Sequence, residues 1–348
     1  MTGIYVHIPF CKKKCLYCDF YSITRFDNNY AAALEDEMRS YGAVEADSVF
    51  IGGGTPTCIG ESLLRIVKSI KANFALTRNC EFSVETNPKT ADAELLYALR
   101  EAGVNRLSIG AQSFSDGELR ELGRIHCAED IADTFYAARR AGFSNINLDI
   151  MLATPHQTLE SLSETLNAVT QMGPEHVSAY SLIVEEGTPF FTMELDLPNE
   201  DIEREMYALA CKRLEEAGLE RYEISNFAKR GFECRHNIKY WTREQYIGLG
   251  AAAHSFFGGA RYSNAADVDT YVRGDGRKCD FEAISPLDAQ KEYFMLGLRM
   301  KDGVKYNGEF PDKIEKLASA GLVEVKEGRV RLTERGGDVA NVVFREFV

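Results

Sequence analysis

Six short runs of apolar and β-branched residues recur along the first half of the chain. They are Ile4–Ile8, Ser48–Ile51, Glu81–Val84, Arg106–Ile109, Asn145–Ile150 and His176–Leu182. Runs of this length and composition predict buried strands rather than helices. Segments with helical periodicity and mixed charge lie between them, most clearly Ala91–Ala102, Ala128–Ala141 and Leu159–Met172. Strand and helix that alternate in this way predict a parallel sheet wound in one hand.

Chemically distinctive residues follow each predicted strand. They are Cys11–Cys18, Gly52–Thr57, Glu85–Pro88, Gln112, Asp149 and Glu185. Parallel α/β barrels place their functional sites at the carboxyl ends of the strands, so these residues are expected to share one face. Because six units are fewer than the eight of a closed barrel, we predict an α/β fold with a partial (β/α)6 barrel.

The pattern changes after the sixth strand. Glu200–Ala217 is typical of an amphipathic helix, and Glu220–Ser263 is rich in aromatic residues and glycine. The tail from Pro286 predicts a helix, a turn, a second helix and a hairpin, which resembles a winged-helix module. The predicted divisions are therefore a barrel at 1–197, a linker and aromatic region at 198–284, and a C-terminal α+β accessory module at 285–348.

Composition and charge narrow the classes of function. The chain has 348 residues, of which 45% are hydrophobic and 27% charged, which is typical of globular proteins and excludes disordered or collagen-like classes. Its net charge of −13 disfavours nucleic acid as a partner, because phosphate binding needs a basic face. Residues 1–10 lack a signal-peptide pattern, and no apolar run approaches the roughly 20 residues of a membrane span. We therefore expect a cytoplasmic protein, with peripheral membrane association left open.

Three of the nine cysteines, Cys11, Cys15 and Cys18, have the spacing C-x3-C-x2-C directly after the first predicted strand. An odd number of cysteines without a leader indicates reduced thiols, and three thiolates this close favour a metal or a cluster. Zinc is one alternative, but structural zinc sites nearly always have four protein ligands. Neither His7 nor Cys58 offers an obvious fourth ligand. A [4Fe–4S] cluster held by three cysteines leaves one iron open and fits better.

The pattern C-x3-C-x-Y-C after a first strand resembles the signature of the radical S-adenosylmethionine (SAM) superfamily. Longer matches resemble its branch that is similar to oxygen-independent coproporphyrinogen III oxidases. These matches are Tyr5–Cys11, Cys15–Phe20, Gly52–Thr57, Glu85–Pro88, Gly110–Phe114 and Leu122–His126. The resemblance extends over essentially the whole chain, and the combination of motifs is specific.

The resemblance implies a [4Fe–4S] cluster on the three cysteines, SAM as a second cofactor and an external electron donor. It also implies the residues that contact SAM, which are Tyr5, Tyr17, Gly53, Gly54, Thr55, Glu85, Gln112, Arg124 and Asp149. Their chemistry agrees with these roles. A glycine-rich turn offers backbone amides at close range, an arginine binds a carboxylate, and carboxylates accept hydrogen bonds from an amine or from ribose.

Two departures from the oxidases weaken the expectation of an oxidase. The oxidases carry a further cysteine where this chain has Phe20, and they carry a long N-terminal extension where only four residues precede Tyr5. The chain has instead an H-N-x-x-Y-W motif, which resembles that of haem chaperones of the same branch. This second resemblance implies haem as a cargo that is delivered to acceptor haemoproteins, soluble or membrane-bound. The residues expected to bind it are His236, Asn237, Tyr240 and Trp241.

Alternatives stay open at this point. A neutral histidine is a common haem ligand, and the aromatic rings could flank a porphyrin. The same aromatic cluster could instead pack the barrel against the C-terminal module, with His236 hydrogen-bonded in the core. The chain could also be an enzyme that decarboxylates coproporphyrinogen III oxidatively, or a regulator that uses its winged-helix-like tail.

Overall fold

The computed structural model describes all 348 residues and has a parallel sheet at its centre. The six central strands are β1 (Thr2–Ile8), β2 (Val44–Gly53), β3 (Phe74–Thr86), β4 (Arg106–Gln112), β5 (Ile146–Leu152) and β6 (His176–Ser181). The helices among them are α1 (Tyr30–Arg39), α2 (Glu61–Asn73), α3 (Ala93–Glu101), α4 (Asp116–Glu121), α5 (Ala128–Arg140) and α6 (Leu159–Met172). Neighbouring strands pair in parallel from β1 through β6. The predicted partial (β/α)6 barrel is confirmed.

Local sequence explains where these helices begin and end. The Thr158 side chain accepts a hydrogen bond from the Ser161 amide and caps α6, which ends at Gly173 in the left-handed conformation. Gly103 and Gly142 follow α3 and α5 with φ of 103° and 92°. Glycine suits both helix ends, because a residue with a side chain is strained at such φ values.

The segment after the barrel adds strands to both edges of the sheet. It contains α7 (Glu200–Glu216), β7 (Glu220–Arg221), β8 (Asn226–Ala228), α8 (Arg235–Trp241), β9 (Tyr246–Leu249), β10 (His254–Phe257), β11 (Ala260–Ser263), α9 (Val268–Val272) and β12 (Cys279–Ala283). Strand β8 pairs with β6, and β9 pairs with β1. The complete sheet has twelve strands in the order β12-β11-β10-β9-β1-β2-β3-β4-β5-β6-β8-β7. Helix α8 connects the two edges along the chain.

The C-terminal module is built from α10 (Pro286–Gly297), β13 (Val304–Lys305), α11 (Pro311–Ser319), β14 (Val323–Lys326), β15 (Arg329–Leu332), α12 (Glu334–Asp338) and α13 (Ala340–Arg345). Two helices followed by the β14–β15 hairpin agree with the predicted winged-helix-like order. A cluster of 11 buried residues forms its core, separate from the 51-residue core of the barrel. The module therefore packs on the barrel as a second unit. No helix of the chain is both long and apolar enough to span a bilayer.

Candidate functional site

A cavity of about 310 Å³ opens at the carboxyl ends of the central strands. It is lined by the three clustered cysteines and by seven of the nine residues expected to contact SAM. Those residues are Cys11, Cys15, Cys18, Tyr17, Gly53, Gly54, Glu85, Gln112, Arg124 and Asp149. The structure thus brings together residues from the ends of five strands, β1 to β5. The parallel register explains this convergence, because neighbouring strands end on the same face.

The cysteine loop follows β1 and places its three thiols on one side of the cavity. The Cys11 thiol is buried and lies 3.5 Å from the Thr55 hydroxyl, while Arg124 points Nη1 at the Cys15 sulfur from 3.5 Å. Burial raises the pKa of the Cys18 thiol to about 11, so thiolates form here only beside a strong positive charge. Three thiols on one side of a cavity fit a cluster, whose cysteines bind separate irons.

The glycine-rich turn after β2 lies directly against this loop. A Cβ atom on Gly54 would lie 2.7 Å from the Phe10 carbonyl oxygen and 2.9 Å from the Cys11 sulfur. Gly53 has a φ of 115°, and a Cβ there would meet the His7 ring at 2.7 Å. Only glycine lets the end of β2 pass this close to the cysteines. The turn therefore forms a wall of backbone beside the three cysteines.

Two buried carboxyl groups face each other across the cavity. Burial, and then the charge of Asp149, raise the pKa of Glu85 to about 8. Glu85 accepts a hydrogen bond of 3.1 Å from the Gly53 amide. Burial also raises the pKa of Asp149, which accepts hydrogen bonds from Asn147 at 2.7 Å and from Ser108 at 3.4 Å. Two desolvated carboxyls at one place suit a ligand that brings a positive charge and hydroxyl donors.

Asn87 connects the two sides of the cysteine loop, a role that the sequence did not predict. Its amide nitrogen donates to the Thr55 hydroxyl at 2.8 Å, and its amide oxygen accepts from Arg124 Nη2 at 2.5 Å. Thr55 lies against the Cys11 thiol, and Arg124 lies against the Cys15 thiol. One side chain therefore orients the polar neighbours of two cysteines. Its position directly after Glu85-Thr86 was the only signal that sequence offered.

Two predicted SAM residues, Tyr5 and Thr55, lie behind the cavity wall. The Tyr5 hydroxyl is 2.9 Å from His7 Nδ1, and burial raises the pKa of Tyr5. Gln112 lines the cavity with a φ of 68°, and its side-chain oxygen accepts a hydrogen bond of 3.0 Å from the Tyr180 hydroxyl. Tyr180 is thus a further cavity residue, and it was missed because a tyrosine within a strand is equally typical of ordinary core packing.

The four residues of the H-N-x-x-Y-W motif occupy different environments. His236 is fully buried, with Nδ1 3.0 Å from the Ser48 hydroxyl and Nε2 2.9 Å from the Tyr240 hydroxyl. Burial lowers the pKa of His236 to about 3, which keeps the ring neutral. Asn237 alone lines the cavity beside the cysteines. Trp241 lies under the guanidinium of Arg299, a residue of the C-terminal module, at 4.3 Å.

This arrangement corresponds to the open alternative in which the motif packs the barrel against the C-terminal module. Both ring nitrogens of His236 have protein partners, so the ring offers no free nitrogen to iron in this conformation. The residues expected to bind haem therefore do not form one open pocket on α8.

Comparison with known proteins places these features in a family. Residues 5–169 match the profile of the Radical SAM superfamily, and residues 284–339 match that of the HemN C-terminal domain. A Bacillus subtilis protein named Heme chaperone HemW is 40% identical, and the alignment covers 100% of this chain and 99% of that protein. The protein of the same name from Lactococcus lactis is 33% identical, with coverage of 100% and 97%.

Among solved structures, that of coproporphyrinogen III oxidase (HemN) from Escherichia coli, a radical SAM enzyme, is similar with a TM-score of 0.86. It is 24% identical, and the match covers 99% of this chain and 89% of that one. This likeness confirms the fold of both the barrel and the module that follows it.

Proposed function

This chain belongs to the radical SAM family whose curated members are named Heme chaperone HemW, and on that premise we propose that it binds haem and passes it to acceptor haemoproteins. The cofactors of this family are a [4Fe–4S] cluster and SAM, with haem as the cargo. The acceptor proteins and the electron donor for the cluster are further parts of the proposal. Nucleic acid has no part in it.

Cys11, Cys15 and Cys18 are proposed as the ligands of the cluster. They line one cavity, and Gly54 leaves them room. When bound, the cluster supplies one electron for the reductive cleavage of SAM. The protein's own part would be to hold SAM beside the cluster and to exclude water from the cavity.

SAM is proposed to lie between the cysteines and the carboxyl pair. Arg124 binds its carboxylate, and the backbone of the turn Gly53–Thr55 meets its amino group. Glu85, Gln112 and Asp149 accept hydrogen bonds from the nucleoside, whose adenine lies near Tyr17. Tyr5 supports this wall from behind, through His7, without touching the cavity.

The observation that carries the chaperone function is the full-length similarity to HemW proteins, at 40% identity, together with Phe20 beside the cluster loop. Phe20 occupies the position of a further oxidase cysteine, and its side chain is 64% exposed at the cavity mouth. For the H-N-x-x-Y-W motif we propose an indirect role in haem binding. Asn237 lines the cysteine cavity, whereas His236, Tyr240 and Trp241 are packed between the barrel and the C-terminal module and act on haem through their neighbours.

The test begins with anaerobic reconstitution of the cluster in the full chain. Haem is then titrated into the protein, and transfer is followed after an apo-haemoprotein is added, with SAM present or absent. The proposal expects a saturable shift of the Soret band and its replacement by the spectrum of the acceptor. A protein that shows no such shift is not a haem chaperone.

The same preparation is incubated with coproporphyrinogen III, SAM and a reductant to test the oxidase alternative. Formation of protoporphyrinogen in amounts above one equivalent per chain would replace the chaperone by the oxidase. The control is the Cys15→Ser variant, which removes one proposed cluster ligand and so reports any reaction that does not depend on the cluster.

A further inference from the structure

A second and larger cavity lies on the other side of the barrel wall. This cleft has a volume of about 840 Å³ and is formed by one face of α7, by the β7–β8 turn and by the C-terminal module around Leu298–Lys301 and Arg331–Asp338. None of the residues predicted from sequence lines it. It runs along the seam between the two hydrophobic cores, which is where ligand sites often occur.

The cleft combines apolar walls with basic side chains. Ile224, Met300 and Leu332 supply the apolar surface, together with the ring of Tyr207. Six basic side chains line it beside five acidic ones, in a chain whose overall charge is −13. The two signs nearly balance, but Lys212 and Lys301 form no salt bridge, so two cationic side chains are available to an apolar ligand that carries carboxylates.

Two buried polar atoms in the cleft have no hydrogen-bond partner. The Glu223 side chain is fully buried, and its Oε2 lies 3.8 Å from the Arg299 guanidinium without a hydrogen bond. Arg299 Nε is also unpartnered. Buried polar groups normally find partners, so an unsatisfied pair beside a cavity indicates that a ligand or ordered water completes it.

The cleft is adjacent to the cysteine cavity, and the two share the turn between β7 and β8. Glu223 and Ile224 line the cleft, whereas Ser225 and Asn226 line the cysteine cavity. The Glu223 carboxylate ties the two sides together, because its Oε1 accepts hydrogen bonds from the Ser225 amide and the Asn226 side chain. Only the turn between β7 and β8 would separate a ligand in the cleft from the proposed SAM site.

The volumes of the two cavities suit different ligands. The cavity of about 310 Å³ has to hold a cluster and SAM, which leaves no room for a porphyrin as well. The cleft of about 840 Å³ lies within the range of roughly 300–1,000 Å³ that suits ligands of drug or cofactor size. On its α7 wall, Cys211 lies one turn from Tyr207, whose hydroxyl already donates to the Ile224 carbonyl and accepts from Arg221. The Cys211 thiol is therefore the side chain available to iron there, and cysteine ligates haem iron in other proteins.

We propose that this cleft, and not the cysteine cavity, is where the chain holds haem, with the ring between α7 and the C-terminal module and the two propionates on the basic side chains. The inference rests on the proposed haem-binding function and names its site. The proposal also explains how the H-N-x-x-Y-W motif takes part in haem binding. Trp241 of the motif stacks on Arg299, which lines the cleft. The motif then supports the haem site from behind.

The test fills the cleft without disturbing the core. Ala208 lies on the cleft face of α7 and is exposed, so Ala208→Trp adds a ring inside the cleft. The matched control is Glu205→Trp, at an exposed position of the same helix outside the cleft. Haem is titrated into each cluster-reconstituted protein and followed by the Soret band. We expect at least about tenfold weaker binding for Ala208→Trp, corresponding to about 1.4 kcal/mol, and wild-type binding for the control.

A second pair of variants tests charge and covers the case in which the bulky variant does not fold. Lys212→Glu reverses one basic side chain in the cleft, and Arg213→Glu does so next to it on α7 but outside the cleft. Only Lys212→Glu is expected to weaken haem binding, and both should keep the iron content and SAM affinity of the wild type. Equal haem affinities within each pair would refute the cleft as the haem site and would mean that haem binds elsewhere on the chain. A wild-type protein that binds no haem would overturn the proposed function itself.

Discussion

Replacing Glu85 by glutamine tests the electrostatics of the carboxyl pair without any cofactor. The pKa of Glu85 is raised from 4.5 to about 8 in the folded chain, chiefly by burial and then by Asp149. Ionising this carboxyl in the fold therefore costs about 5 kcal/mol relative to the unfolded chain. Glutamine has nearly the same shape as the protonated acid and stays neutral at every pH.

The sign of the pH dependence follows from where the proton resides. Below pH 4.5 the carboxyl is protonated in both states, and its contribution to stability is fully present. Between pH 4.5 and 8 the folded chain keeps the proton that the unfolded chain has lost. The wild-type protein therefore loses about 1.4 kcal/mol of stability per pH unit through this group. The advantage of Glu85→Gln should grow at that slope from pH 6 to 8 and level off above pH 8.

Urea unfolding of the SAM-free proteins at pH 6, 7 and 8 measures this difference. Glu101→Gln on α3 is the control, because Glu101 is exposed and its replacement should leave the pH profile unchanged. A difference between Glu85→Gln and wild type that stays constant over this range would refute the reasoning, since it would mean that Glu85 is ionised in both states. In the wild type, SAM binding below pH 8 should also release a proton, because the ligand's donors favour the carboxylate. Titration calorimetry in two buffers of different ionisation enthalpy detects that release, which Glu85→Gln should abolish.

Three further variants test other parts of the site. Cys15→Ser should lower the iron content after reconstitution and remove the brown absorbance, and a protein that retains full iron would exclude Cys15 as a ligand. Asn87→Ala should weaken SAM binding about 10- to 100-fold, because Arg124 and Thr55 each lose a hydrogen bond worth about 1–3 kcal/mol. An unchanged SAM affinity would show that the bridge is not needed. His236→Ala should lower the free energy of unfolding in urea by about 2–4 kcal/mol, because the hydroxyls of Ser48 and Tyr240 lose their partner. Unchanged stability would mean that the ring is not held as the structure shows.

The central strands and the face of the site were predictable because their signals are local. Alternation of buried strands with periodic helices fixes the fold class, and parallel pairing sends all strand ends to one face. The strand boundaries were less accurate. Strand β3 begins at Phe74 rather than at Glu81, since its first residues are held by pairing with Val44–Ala46 of β2 and not by their own pattern.

The edge strands, the Asn87 bridge and the environment of His236 could not be predicted, because they depend on contacts between residues far apart in the chain. Strands β7 to β12 are short and pair with the edges of a sheet that forms from earlier residues, so their own sequence carries no periodic signal. The Asn87 bridge needs three strand ends in register before it exists. The environment of His236 is similar, because its partner Ser48 lies 188 positions away along the chain. Residue type suggested both a ligand and a core histidine, and only packing distinguishes them.

The placement of β8 and β9 has a consequence for any shortened form of the protein. An open six-stranded sheet exposes two rows of unpaired backbone groups, and such rows recruit strands from other molecules. Here both rows are covered by one continuous segment, at β6 by β8 and at β1 by β9. A fragment that stops at residue 197 would uncover both at once. We therefore expect the barrel expressed alone to aggregate, and solubility to return only when the chain extends through β12.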